Sequence, residues 1–141
     1  MRIADVLHGK GSGAVTVGPE ATVADLIGVL AARNVGALPV VEDGRLVGIV
    51  SERDVVRRLH AGGAGLLTAR VADIMTGEVI TCGPGDNVAD LARVMTAGRF
   101  RHLPVLEDGQ LVGIVSIGDL VKARIDSLES EREQLQTYIA G

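Results

Sequence analysis

The chain repeats itself, and that repetition constrains its architecture more than any other feature. Val35–Asp54 reads "VGALPVVEDGRLVGIVSERD" and Phe100–Asp119 reads "FRHLPVLEDGQLVGIVSIGD". Leu38 aligns with Leu103 and Asp54 with Asp119; without a gap, residues 14–56 overlay residues 79–121 with roughly half of the positions identical. Two copies are too few for an extended solenoid, so two units that bury their faces against each other are expected.

Each copy carries the same punctuation. A short apolar segment, "AVTV" or "VITC", meets a Gly-Pro break at Gly18-Pro19 or Gly83-Pro84. Thr22 and Asn87 then offer helix N-caps, with Asp25 and Asp90 three residues on in a capping-box arrangement. Val23, Leu26, Ile27 and Leu30 form a stripe at helical spacing, and Val88, Leu91, Ala92 and Met95 repeat it. Asp43-Gly44 and Asp108-Gly109 sit between β-rich runs and predict type I′ hairpins, because Asp-Gly supplies positive φ. A second helix begins near Asp54 and near Asp119. Each unit therefore reads β-α-β-β-α, an α+β fold, with the copies at 1–66 and 67–125 and a helical extension at 126–141.

The repeat is not perfect. "RIADVL" at Arg2–Leu7 matches "RVADIM" at Arg70–Met75 at an offset three residues longer than the rest, so the first copy carries three extra residues within "HGKGSG". Gly36 and Ala37 in the first copy are replaced by Arg101 and His102 in the second.

Composition narrows the function. Hydrophobic residues make up 47% of the 141 residues, charged residues 23%, and aromatics only 1%, so the core is aliphatic and stacking platforms for single-stranded nucleic acid are missing. A net charge of −4 supplies no global basic field for a phosphate backbone, and no nucleic-acid partner is expected. Cys82 is the only cysteine, which rules out an internal disulfide and fits a reducing compartment. No signal-like or membrane-spanning apolar run is evident, so a soluble cytoplasmic protein without a membrane partner is expected.

Ser51 with Asp54 and Ser116 with Asp119 are S-x-x-D pairs at strand-to-helix junctions. A capping box explains them fully. A binding site explains them too: a helix N-terminus offers free N–H groups to a phosphate, the serine adds a donor, and the carboxylate accepts two ribose hydroxyls. Arg101 and His102 read either as a solvated pair at a strand entrance or as a phosphate clamp, with Arg99 adding to it. Lys10 reads as part of a flexible surface loop or as a phosphate contact; the P-loop spacing is absent. Met75 and Cys82 read equally well as core. His8, His60 and His102 show no metal-ligand spacing, no nucleophile–base set is apparent, and no catalysis or catalytic cofactor is expected.

Paired units carrying "LPV", "DG", "LVGIVS" and a following Asp resemble CBS domains in the tandem arrangement called a Bateman module, over about residues 2–125. The resemblance implies two units packed through their sheets with pseudo-two-fold symmetry, clefts between them that bind adenosine compounds, and assembly as homodimers. It implies that Ser51, Asp54, Ser116 and Asp119 hold ribose and phosphate. It assigns to a second-repeat cleft Met75, Thr81, Cys82, Arg99, Arg101, His102, Leu103, Pro104, Ser116, Ile117, Gly118 and Asp119. It assigns to a first-repeat cleft Lys10, Thr16, Val17, Gly36, Ala37, Leu38, Pro39, Ser51, Glu52, Arg53 and Asp54. The cleft with Arg101, His102 and Asp119 is expected to prefer a phosphorylated ligand, the other to draw its cations from Arg53 or Lys10 or to bind with less emphasis on phosphate. Similarity of "GRFRHLPV" and "SIGDLVKARI" to stand-alone bacterial CBS pairs points to AMP or NAD(H) as the regulatory ligand, with ADP, ATP and S-adenosylmethionine as further adenosine compounds. The expected function is a non-catalytic sensor; the alternative is a structural dimerisation or adaptor module with vestigial clefts, acting through an unidentified protein partner.

Beyond the repeat, Val121, Ile125, Leu128, Arg132, Leu135 and Ile139 alternate at spacings of four and three, a heptad-like stripe broken by one arginine. Such a helix packs either on its own domain or against a second copy of the chain.

Overall fold

A computed structural model describes residues 1–10 and 14–140, so Gly11, Ser12 and Gly13 of the "HGKGSG" insertion lie outside the described residues. The helices are α1 (Ile3–Lys10), α2 (Val23–Arg33), α3 (Glu52–Gly62), α4 (Val71–Ile74), α5 (Val88–Gly98) and α6 (Ile117–Ala140). Two antiparallel hairpins stand between them, β1 (Ala37–Glu42) with β2 (Arg45–Ser51) and β3 (His102–Glu107) with β4 (Gln110–Ser116).

The local signals act as their chemistry requires. Thr22 and Asn87 cap α2 and α5 by accepting the amides of Asp25 and Asp90, each at 3.1 Å. Asp43 and Gly44 take φ of 51° and 77°, and Asp108 and Gly109 take 52° and 78°, the positive values that close each hairpin in register with its twist. Both hairpins also slip register at one point, between Val40 and Val41 and between Val105 and Leu106. A bulge at the same place in each copy bends both hairpins alike.

The leading strand of each unit is far shorter than the sequence pattern suggests. Val17 forms a single parallel bridge with Val40, and Cys82 one with Val105. Each bridge keeps two backbone bonds, Val17 N to Pro39 O at 3.1 Å and Val41 N to Val17 O at 2.9 Å in the first unit. The Gly-Pro break follows at once, so there is no length over which a ladder can extend.

Packing crosses the 66/67 boundary. The first core gathers Val17, Val23, Leu26, Leu30, Leu38, Val40, Val50 and Val55 with Val71 and Ile74 of α4. The second gathers Cys82, Val88, Leu91, Met95, Leu103, Val105, Val115 and Leu120 with Ile3 and Val6 of α1. Each short helix therefore completes the core of the other copy. Backbone bonds fix the exchange: Val23 N donates to Ala69 O at 2.9 Å and Val71 N to Ala21 O at 2.8 Å, matched by Val88 N to Met1 O at 3.0 Å and Ile3 N to Asp86 O at 2.9 Å. Glycine makes the close approach feasible. A Cβ on Gly48 would fall 2.6 Å from Met75 Sδ, and one on Gly113 would fall 2.6 Å from Leu7 Cδ2. The two units meet through β2 and β4 with this pseudo-two-fold relation preserved.

The helical extension is not a separate body, because α6 runs unbroken for 24 residues from the end of β4, a rod of about 36 Å. Its first turns pack through Leu120 and Ala123, but Val121, Ile125, Leu128, Leu135 and Ile139 are all about half or more exposed. No helix among the described residues is long and apolar enough to cross a membrane.

Candidate functional site

The strand-to-helix junctions place two carboxylates at equivalent positions. At the start of α3 the Ser51 amide donates to Asp54 Oδ2 at 2.8 Å, and the Asp54 amide returns a bond to Ser51 Oγ at 3.3 Å. At the start of α6 the Ser116 amide donates to Asp119 Oδ2 at 2.8 Å, with the Asp119 amide 3.1 Å from Ser116 Oγ. Both capping boxes are formed. Among the described residues no protein donor reaches Oδ1 of either carboxylate, so the cap leaves each with an acceptor to offer.

Residues of both expected clefts line one cavity of about 570 Å³. From the first unit it takes Gly36, Ala37, Ser51, Glu52, Arg53 and Asp54; from the second, Arg99, Arg101, His102, Leu103, Ser116, Ile117 and Gly118. Arg101 and His102 line the cavity that holds Asp54; Asp119 is not among the lining residues, but Ser116, Ile117 and Gly118 of its cap are, and its charge reaches His102. The hairpin ends meet between the two units, so the basic entrance of one lies beside the helix start of the other.

Other expected residues do not line this cavity. Lys10 does not serve the first-repeat cleft; its ammonium donates to Asp119 Oδ2 at 2.6 Å and to Ile114 O at 3.0 Å, because α1 packs on the second unit. Val17 and Cys82 are buried in the two cores, and Leu38, Pro39 and Pro104 are buried within their strands. Thr16 is exposed in a shallow groove beside α2, away from the cavity. Met75 packs over Gly48 against the first core, and Thr81 is exposed outside the cavity lining.

The cavity also holds residues that the repeat pattern did not single out. Arg57 stands one turn beyond Arg53 on α3, and Ile49, Thr76, Glu78, Val79, Ile80 and Phe100 complete the wall. The i, i+4 spacing of Arg53 and Arg57 was a usable signal. Thr76 reaches the site because it bridges Ile49, each amide donating to the other's carbonyl at 2.9 and 3.0 Å, a consequence of the α4 exchange.

Four arginines, Arg53, Arg57, Arg99 and Arg101, thus line one concavity beside Glu52, Asp54 and Glu78, and among the described residues none of the four forms an ion pair. Arg99 is there in a costly conformation, as the αL cap of α5 with φ of 58° where Asn34 caps α2. Ile49, Val79, Ile80, Phe100 and Ile117 supply an apolar wall beside these charges. Cationic forks next to an apolar face suit a ligand with an anionic end and a flat, weakly polar body.

Burial, and then the charge of Arg101, hold the His102 imidazole below its ordinary pKa; Asp119 and Glu52 oppose this weakly. Burial pushes the Asp119 carboxyl up, but the hydrogen bond from Lys10, the Ser116 amide and the Lys10 charge together bring it below the ordinary carboxylate value. No cluster of metal-ligating side chains occurs among the described residues.

Comparison with known proteins bears on the family and the fold. The family model described as CBS domain matches residues 11–61 and 71–126. The mitochondrial CBS domain-containing protein CBSX3 of Arabidopsis thaliana is 38% identical over 99% of this chain and 72% of its own length. The crystal structure of the CBS-domain containing protein ATU1752 from Agrobacterium tumefaciens superposes with a TM-score of 0.85 at 43% identity, covering 88% of this chain and 99% of that one. The crystal structure of CBSX2 in complex with AMP superposes with a TM-score of 0.72 at 29% identity, over 89% of this chain and 96% of that one.

Proposed function

The chain belongs to the CBS-domain family as a tandem pair, and on that premise we propose that it is a regulatory module, without catalysis of its own, that binds an adenine nucleotide in the shared cavity and acts as a homodimer. The observation that carries this reading is that four arginines, with no ion pair among the described residues, line the cavity that contains Asp54. The volume of about 570 Å³ suits a single nucleotide. In this reading Asp54 Oδ1 accepts the ribose hydroxyls, and the arginines take the phosphate. Ile80, Val79 and Phe100 cover the base. AMP is the ligand of choice, supported by the AMP complex of CBSX2; NAD(H) is the next candidate, and a cytoplasmic setting fits both.

A ligand regulates only through its difference in affinity for two states. Here the cavity is walled by both units, so a bound nucleotide tightens one unit on the other, and α6, rooted at Ser116–Ile117 in that wall, carries the change outward.

Titration calorimetry with AMP, ADP, ATP, NAD⁺, NADH and S-adenosylmethionine tests the proposal. The expected result is saturable binding of AMP that is lost in Asp54→Ala and weakened in Arg101→Ala. A ligand at 100 times its dissociation constant adds about 2.7 kcal/mol, so the melting temperature must rise in parallel. No binding by any of the six rejects the sensor and leaves the adaptor reading, which the exposed apolar stripe of α6 favours.

A further inference from the structure

The two carboxylates differ in what stands over them. Counting from the shared "RIADVL" and "RVADIM" segments, Lys10 is the counterpart of Glu78. The first residue is a cation bonded to Asp119; the second is an anion lining the cavity of Asp54. Equivalent positions in the two copies thus carry opposite charge.

We infer that Lys10 is a built-in occupant of the second carboxylate, so that the resting chain offers one nucleotide position at Asp54 and keeps the other, at Asp119, closed. This rests on the nucleotide reading of the preceding section and extends it to the number of sites and their control. Asp119 Oδ2 already takes the Lys10 ammonium at 2.6 Å and the Ser116 amide at 2.8 Å. A second bond from Lys10 to Ile114 O at 3.0 Å holds the ammonium in place. A ribose diol approaching this carboxylate meets a bound cation, and must displace it. At Asp54 the comparable bonds come from Ser51 itself, its amide at 2.8 Å and its hydroxyl at 3.1 Å, and Glu78 brings no cation to the carboxylate.

The backbone explains the contrast. Helix α1 continues through Lys10, whereas α4 ends at Ile74 and the chain turns to extended geometry at Met75, with φ of −67° and ψ of 157°. The same side-chain position is therefore swung onto Asp119 in one half and laid along the cavity wall in the other. The Lys10 and Asp119 side chains remain 38% and 25% exposed, so the pair is partly screened and displaceable. Closure is therefore a matter of competition and not of a sealed cavity.

The test is the stoichiometry of AMP binding by calorimetry, with circular dichroism to confirm that each variant is folded. Wild type should bind one AMP per chain, lost in Asp54→Ala and retained in Asp119→Ala. Lys10→Met, which keeps the aliphatic stem, should bind a second AMP, and Lys10→Gln should do the same. The second site should vanish in the double variant Lys10→Met/Asp119→Ala. The reverse exchange, Glu78→Lys, should weaken the Asp54 site at least tenfold. Two AMP per wild-type chain, an unchanged stoichiometry of one in both Lys10 variants, or weaker binding on loss of Lys10 would each overturn the inference while leaving the nucleotide reading intact. Wild type that binds no AMP, with Lys10 variants that bind none either, would overturn both.

Discussion

The imidazole of His102 stands beside Gly36: a methyl group on that glycine would come 3.3 Å from Cε1 and 3.4 Å from Nε2 of the ring, and 3.4 Å from Glu52 Oε1. Gly36 is itself the counterpart of Arg101, and Ala37 of His102. Small residues in one copy thus stand where the other carries large polar ones. Gly36→Val should narrow the cavity and lower AMP affinity at least about tenfold, or about 1.4 kcal/mol. The double variant Gly36→Val/His102→Ala should recover part of that loss, and a double-mutant cycle by calorimetry measures the coupling.

Arg99 holds a left-handed conformation in which Asn or Gly is cheaper. Arg99→Asn should raise stability by about 0.5–1 kcal/mol, read as a shift in urea midpoint at unchanged slope. The same change should weaken AMP binding, because one of the four cavity arginines is gone. A variant that gains stability with no loss of affinity would remove Arg99 from the site.

His102 gives a signed pH dependence. Its pKa is lower in the folded chain than in the unfolded one, so as pH falls through the ordinary histidine value of about 6.5 the unfolded state takes up the proton first. Wild type should lose stability relative to His102→Asn over that window, and the difference should level off below the folded pKa. Asp119 has the same sign in acid: its folded pKa is depressed, so its contribution is present above the unfolded carboxylate pKa and is lost as pH falls through the folded one. Lys10→Met should flatten that acid limb. Urea titrations at stepped pH read both.

Cys82 is buried, and burial, aided by Asp86, pushes its thiol up to about 11. It should resist a thiol reagent at pH 8 in the native state and react fully in denaturant. Cys82→Val, which copies Val17 of the other unit, should change stability by less than about 1.5 kcal/mol in a melting experiment.

The exposed stripe of α6 bears on assembly. Truncation after Ile125 should shift sedimentation from dimer toward monomer and lower the melting temperature, and the loss should grow on dilution. A truncated chain that stays fully dimeric and equally stable would exclude α6 from the contact.

Local chemistry made much of this legible from sequence. Asp43-Gly44, Thr22 and the S-x-x-D pairs each settle a few residues of backbone, and they behave as their side chains demand. Arg99, Arg101, His102 and Asp54 stand out in the sequence as candidates because charge beside an apolar strand has few structural uses, and all four line the cavity. What the repeat could not reveal was which copy serves which. The placement of Lys10 over Asp119 and of Thr76 beside Ile49 depends on short helices that cross between units, and no local pattern encodes that exchange. The leading strands are short for a related reason: "AVTV" and "VITC" have strand-like residues but pair at one position only.

The crossing of α1 and α4 also bears on how the molecule comes apart. Val71 and Ile74 are core to the unit that precedes them, and Ile3 and Val6 to the unit that closes the chain. Neither lobe owns all the side chains it needs, so neither can melt while the other stays whole. Denaturation should be a single transition seen alike by probes in both lobes. Isolated fragments cut between the lobes would each leave an apolar groove where the other's helix belongs, and would recover structure only when mixed.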